Sequence, residues 1–156
     1  MRRLFYILLC LILFGGILSA CSLMNGSAIS SSSAGGDDLR VTDIWARPGQ
    51  AEGSSAIYMI IDNRGSQDDT LLSASCDAAG TTELHLSQMD DAGTMSMIHQ
   101  ESVPVPAGEK VEFKPGGLHV MLMGLKSDVN PGDSINCTLN FELAGAVQID
   151  APAREP

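Results

Sequence analysis

The sequence of 156 residues has little positive charge: nine Lys and Arg stand against 19 Asp and Glu, a formal net charge of -10. With no basic stripe to neutralise phosphates, nucleic-acid binding is excluded. No apolar run reaches the ~20 residues that a membrane-spanning helix needs. The four Cys show no C-x-x-C spacing, and no G-x-S-x-G occurs, so neither a common zinc knuckle nor a hydrolase nucleophile elbow is present. From Leu39 onward no segment sustains a helical period, and nothing repeats internally. One domain is the expectation.

What is present at the N-terminus is an export signal. Met1-Arg2-Arg3 is followed by an apolar run from Leu4 to Leu18, interrupted only by Gly15 and Gly16, and then by Ser19-Ala20-Cys21. A charged start, a short apolar run and a small-residue end mark residues 1–20 as a signal peptide. Leu18-Ser19-Ala20-Cys21 resembles the bacterial lipobox, in which a peptidase cuts before a Cys whose sulfur has received a diacylglycerol. Cys21 would then be the first mature residue, the site of lipidation and palmitate attachment. The alternative is an ordinary secretory cut near Ala20 that leaves a free thiol. Two acyl chains give a stable anchor where one is marginal, which places the protein outside the cytoplasm, in a periplasm or at a cell surface, tethered to a bacterial membrane.

Loss of Arg2 and Arg3 leaves seven basic residues against 19 acidic ones, so anionic lipid heads would not attract the body. Residues 21–38 comprise the lipidated Cys and a stretch rich in Ser, Gly and Ala, including Ser30-Ser31-Ser32-Ser33-Ala34-Gly35-Gly36, that has almost nothing to bury. It reads as a flexible leash reaching on the order of 20–25 Å as a random coil. A folded domain is expected over 39–150, with residues 151–156 as a tail.

Cys10 leaves with the signal and Cys21 carries lipid, so Cys76 and Cys137 remain. Outside the cytoplasm an even pair is most simply a disulfide, with metal ligation as the rival reading. Short β-type runs recur between turn signals: Arg40 to Ala46, Ser55 to Asp62, Asp69 to Cys76, Thr82 to Met89, Thr94 to Gln100, Lys110 to Phe113, His119 to Leu122, Ser134 to Leu143 and Ala146 to Ile149. The fold class is all-β, a sandwich or Greek-key barrel.

The most informative window runs from His85 to Met123. It holds all three His (His85, His99 and His119) and five of the seven Met that follow Met1: Met89, Met95, Met97, Met121 and Met123. Side chains alternate along a strand, so His119, Met121 and Met123 share one face while Leu118, Val120 and Leu122 take the other. The aliphatic face is the core face, and His119 and Met121 point away from it. Leu84 and Leu86 bracket His85 in the same way.

His85 to Met97 reads as a hairpin with Gly93 at a positive-φ position. A turn centred on Asp91 sets His85 directly opposite Met97, with Cβ atoms ~4.5–5.5 Å apart, near enough to share one ion. A one-residue slip would send Met97 to the other face. Imidazole with thioether, and no carboxylate, suits Cu(I) and is wrong for Mg, Ca or structural Zn. A blue-copper centre needs a thiolate, and neither Cys76 nor Cys137 has a neighbouring His or Met. Copper carriage fits these residues better than catalysis.

Met97 is followed, after twenty-one residues, by His119-Val120-Met121. This spacing resembles the PCu(A)C periplasmic copper chaperones, whose hallmark is a His, a Met eleven residues on, and then, after twenty-one residues, His-x-Met. The first half departs by one residue, eleven intervening residues where the family has ten, within the turn at Asp90-Asp91-Ala92-Gly93. Trp45-Ala46-Arg47-Pro48, Ala56-Ile57-Tyr58-Met59, Asn63-Arg64-Gly65, Glu83-Leu84-His85 and Lys114-Pro115-Gly116-Gly117-Leu118-His119 carry the same likeness, which covers Leu39 to Ile149.

The resemblance implies a cupredoxin-like β-sandwich, with His85, Met97, His119 and Met121 as Cu(I) ligands. It also implies delivery of copper to the Cu(A) centre of cytochrome c oxidase, often alongside Sco-type thiol proteins. Met89, Met95, Met123 and His99 have no equivalents in the motif and read as packing, hairpin surface or transient docking ligands. A copper storage or resistance lipoprotein and a metal-free extracellular interaction module are the other readings. Lipidation is testable first: Cys21→Ala should lose palmitate labelling and either leave the membrane fraction or accumulate as uncleaved precursor, whereas unchanged labelling overturns the anchor.

Overall fold

The structure, a computed structural model, describes residues 38–89 and 93–155. The signal peptide, Cys21, the leash up to residue 37 and the turn residues 90–92 lie outside the described residues. Alternation of apolar and polar residues produces ten strands. They are β1 (Leu39–Ala46), β2 (Ser54–Asn63), β3 (Asp69–Cys76), β4 (Ala79–Met89), β5 (Met95–Gln100), β6 (Val103–Val105), β7 (Lys110–Phe113), β8 (Leu118–Leu125), β9 (Ser134–Phe141) and β10 (Ala146–Pro152). Among the described residues no helix is long and apolar enough to cross a membrane.

Six strands form one sheet in the order β1-β2-β7-β8-β4-β5, with β2 also pairing directly with β8, and four form a second in the order β10-β9-β3-β6. The inward faces meet in one core built from Ile57, Met59 and Ile61 of β2, Val120 and Leu122 of β8, and Leu139 of β9. At about 0.8 kcal/mol per buried CH2, such side chains supply the main driving force of the sandwich. Cys76 and Cys137, register partners on β3 and β9, form a disulfide across the four-stranded sheet. The all-β sandwich expected from the strand pattern, cupredoxin-like as the family resemblance implies, is the observed class.

Four local departures have physical reasons. β6 was not expected, because Pro104 interrupts it, but it lies at the edge of its sheet, where a missing N–H is tolerated. β8 continues past Leu122, with Met123 paired to Ser54 on one side and Thr81 on the other. β10 runs on to Pro152, past the expected Ile149. β9 ends at Phe141 and not at Leu143, because the chain turns there over Asp69. Leu143 N donates to Asp69 Oδ1 at 2.9 Å and Ala144 N to Oδ2 at 3.0 Å.

In β1 the register shifts between Thr42 and Trp45, and Asp43 there has a φ of 51°. This bulge exchanges the faces of the strand: Leu39 and Val41 face the core before it, Ile44 and Ala46 after it. Trp45 is thereby placed on the outer face beside its register partner Tyr58.

Asp69 is 7% exposed. Burial opposes its ionisation, but backbone amides of Leu143, Thr70, Ala144 and Glu142 outweigh that and hold its pKa below the ordinary carboxylate value of 3.8. A depressed folded-state pKa stabilises the fold above the unfolded value, and the contribution is lost as pH falls through the folded value. Asp69→Asn should therefore cost ~1–3 kcal/mol at pH 7, and its denaturation curve should converge on the parent's only as pH falls through the lowered folded-state pKa of Asp69. Equal stability at neutral pH would remove Asp69 from this role.

Candidate metal centre

Val120 and Leu122 are fully buried in the core, so His119 and Met121 must face outward from the six-stranded sheet. Outward is not exposed in the case of His119, which is only 4% accessible. Its cover comes from the neighbouring strands. His85 of β4 is its register partner on one side, with ring centroids 5.9 Å apart, and Tyr58 of β2 lies on the other at 6.4 Å. The row extends in both directions. Trp45 stacks on Tyr58 at 4.5 Å, and His99 of β5 lies edge-on to His85 at 5.8 Å. Five rings thus cross five strands of the outer face, with the Arg154 guanidinium carbon 5.1 Å from the centroid of the Trp45 ring.

The hairpin register differs from the expected one. His85 pairs with His99, not with Met97, and Met97 pairs with Ser87. The last rung among the described residues is Met89 with Met95. The reason lies in Gly93: its φ of 81° is not a strand conformation, so it cannot occupy the ladder position that a shorter loop would give it. The turn centre moves by one residue and the partner of His85 moves by two, so Met97 stays on the His85 face as its diagonal neighbour, within reach of a long side chain.

Both His rings are held in a defined tautomer by acceptors that cannot donate. His119 Nδ1 donates to the Gly117 carbonyl at 3.0 Å, which leaves Nε2 free. His85 Nε2 donates to Glu83 Oε2 at 2.8 Å, and its Nδ1 is buried without a hydrogen-bond partner. In the neutral ring that nitrogen carries a lone pair with nothing to receive it. A ligand nitrogen with its other N–H held by a carboxylate or carbonyl is the usual arrangement around a bound metal.

Met97, His119 and Met121 line one shallow depression of about 310 Å³, together with Met95, Ser87 and Tyr58. His85 is not in the wall of this depression but stands next to it, alongside the His119 ring. Three of the four expected donors therefore meet in one hollow, and the fourth adjoins it with an unpartnered buried nitrogen. Met121 is half-buried, whereas Met97 is 62% exposed.

Two contributors escaped the sequence reading. Glu83, two residues before His85, shares its face and fixes its ring; period-two alternation could have shown this. His99, expected to be packing, hairpin surface or a transient docking ligand, is directly opposite His85. Met95 belongs to the depression, and Met123 lies half-buried on the same outer face. Met89, 63% exposed, stands at the hairpin end.

A protein-family model described as "Putative lipoprotein LpqE-like" matches residues 39–153, nearly all of the sandwich. The chain belongs to the LpqE-like family. A relative from Leifsonia xyli subsp. xyli, "Putative lipoprotein Lxx21020", is 26% identical over 138 residues, spanning 88% of this chain and 82% of that one. Protein RP573 of Rickettsia prowazekii is 33% identical over 104 residues, 63% of this chain and 56% of the relative.

Among solved structures, the copper-bound PCuAC domain from PmoF2 superposes with a TM-score of 0.66 at 26% identity, covering 80% of this chain and 99% of that domain. The apo PCuAC domain from PmoF1 gives 0.67 at 28%, covering 80% and 100%. The solution structure of CuI-DR1885 from Deinococcus radiodurans gives 0.55 at 25%, covering 73% and 78%. The likeness to PCuAC copper-chaperone domains read from His-x-Met spacing thus extends to the fold of this LpqE-like chain.

Proposed function

We propose that this LpqE-like protein is an extracytoplasmic Cu(I) chaperone, anchored through Cys21, that holds one cuprous ion with His119 Nε2, His85 Nδ1, Met97 and Met121. The observation that carries this reading is the pair of tautomer-locked imidazoles, one with an orphaned buried nitrogen, at a hollow lined by three thioethers, Met97 and Met121 among them. Two imidazole nitrogens and two thioethers form a soft-leaning donor set for Cu(I). The copper-bound PmoF2 domain and CuI-DR1885 support the same choice.

Carriage fits better than permanent storage, because the donors run from a buried His119 to an exposed Met97. An acceptor's ligand can enter at the Met97 side before the inner His lets go, so the ion need not pass through water. The acceptor is the Cu(A) centre of cytochrome c oxidase or a Sco-type protein, a role that rests on the PCu(A)C resemblance. A leash of residues 22–38 would let the domain reach such a partner from its membrane anchor. Bound copper supplies no catalytic step here; the chain's part is to bind, to orient two imidazoles and to expose one edge.

Anaerobic Cu(I) titration against a competing chelator tests this. Met121→Leu and Met97→Leu keep volume and apolarity, so stability should change by less than ~1.5 kcal/mol, while Cu(I) affinity falls by about tenfold or more. Retention of parent affinity in these variants and in His85→Ala and His119→Ala would reduce the cluster to packing. Transfer to an isolated Cu(A) domain distinguishes a chaperone from a storage protein.

A further inference from the structure

Glu83, His85 and His99 form a second constellation on the hairpin side of the Cu(I) hollow. One donor atom from each lies within 4.8 Å of the others. His85 Nε2 is 2.8 Å and His99 Nδ1 3.6 Å from the same carboxylate oxygen, Glu83 Oε2. The backbone ladders hold all three: Glu83 and His85 lie two residues apart on β4, and His99 is the β5 partner of His85.

We propose that these three side chains form a separate site for a borderline divalent cation, Cu(II) or Zn(II). Two imidazoles and a carboxylate, with no sulfur, are the donors such ions prefer, and Cu(II) binds an N/O set most tightly among the first-row divalent metals. The neighbouring thioethers prefer Cu(I), so the two centres sort ions by softness. The His99 side chain is 56% exposed, which leaves remaining coordination positions open to water and the site open to entry. A chain of net charge -10 also raises the local concentration of cations.

His85 links the two centres, and in this respect the proposal builds on the Cu(I) reading. Its neutral ring has one proton. With the proton on Nε2, Nδ1 is available to Cu(I); for Nε2 of the neutral ring to ligate the divalent ion, the proton must move to Nδ1. The ions therefore compete for one imidazole, and by reciprocity each weakens the other by the same factor.

The test uses the mature lipoprotein extracted in detergent, with Zn(II) as a redox-silent probe in competition with a chromophoric chelator. Cu(II) electron paramagnetic resonance reports nitrogen ligation alongside. His99→Ala and Glu83→Gln should each weaken Zn(II) at least about tenfold and remove a nitrogen or a carboxylate from the Cu(II) signal. Met121→Leu should leave Zn(II) binding unchanged, and His99→Ala should leave Cu(I) affinity unchanged. Melting temperatures near the parent's identify folded variants, and His99→Gln serves if the Ala form is unstable. No Zn(II) binding by the parent, parent-like binding in both His99→Ala and Glu83→Gln, or loss in Met121→Leu with retention in His99→Ala overturns the site. Absence of Cu(I) binding with Zn(II) binding intact overturns the chaperone reading alone.

Discussion

Val120 and Leu122 are locked between the two sheets, and because side chains alternate along β8, their burial forces His119 and Met121 to the opposite side. The rest of the centre is arranged around that constraint. Antiparallel pairing with β4 sets His85 next to His119, and pairing of β4 with β5 brings His99 and Met97 to the same surface. No loop has to place a donor: His85, His119 and Met121 sit on strands whose inner faces are anchored in the core, and Met97 sits on the exposed edge strand β5.

Hydrogen bonding then decides which atoms of these residues can act. The Gly117 carbonyl and the Glu83 carboxylate are acceptors only, so each imidazole keeps one nitrogen that is not engaged as a donor. The His85 nitrogen left over is buried and unpaired, an arrangement that costs about 1–3 kcal/mol in an ordinary core and that a bound ion would relieve. Stability given up at such a point is characteristic of a functional site.

Strand faces were legible in the sequence because they depend on period two alone: Leu84 against His85, and Val120 against Met121, needed no tertiary information. The sandwich and its strands followed from the same alternation and from turn residues. The hairpin register did not, since it depends on whether Gly93 belongs to the turn or to the ladder, and φ is not written in the residue name. Neither the bulge at Asp43 nor the short β6 around Pro104 could be read, because each is stabilised by its place at an irregular or edge position of a sheet. His99 was passed over for a related reason: its partner is set by the register.

The bulge at Asp43 has an optical consequence. By turning Trp45 outward it sets the chain's single tryptophan in van der Waals range of Tyr58, whose ring in turn adjoins His119. The protein's one strong fluorophore thus stands at the end of a short file of rings that leads into the metal centre. A closed-shell ion and a paramagnetic one at the proposed centre would quench it to different extents, so the intrinsic emission of the unlabelled protein would tell the two apart.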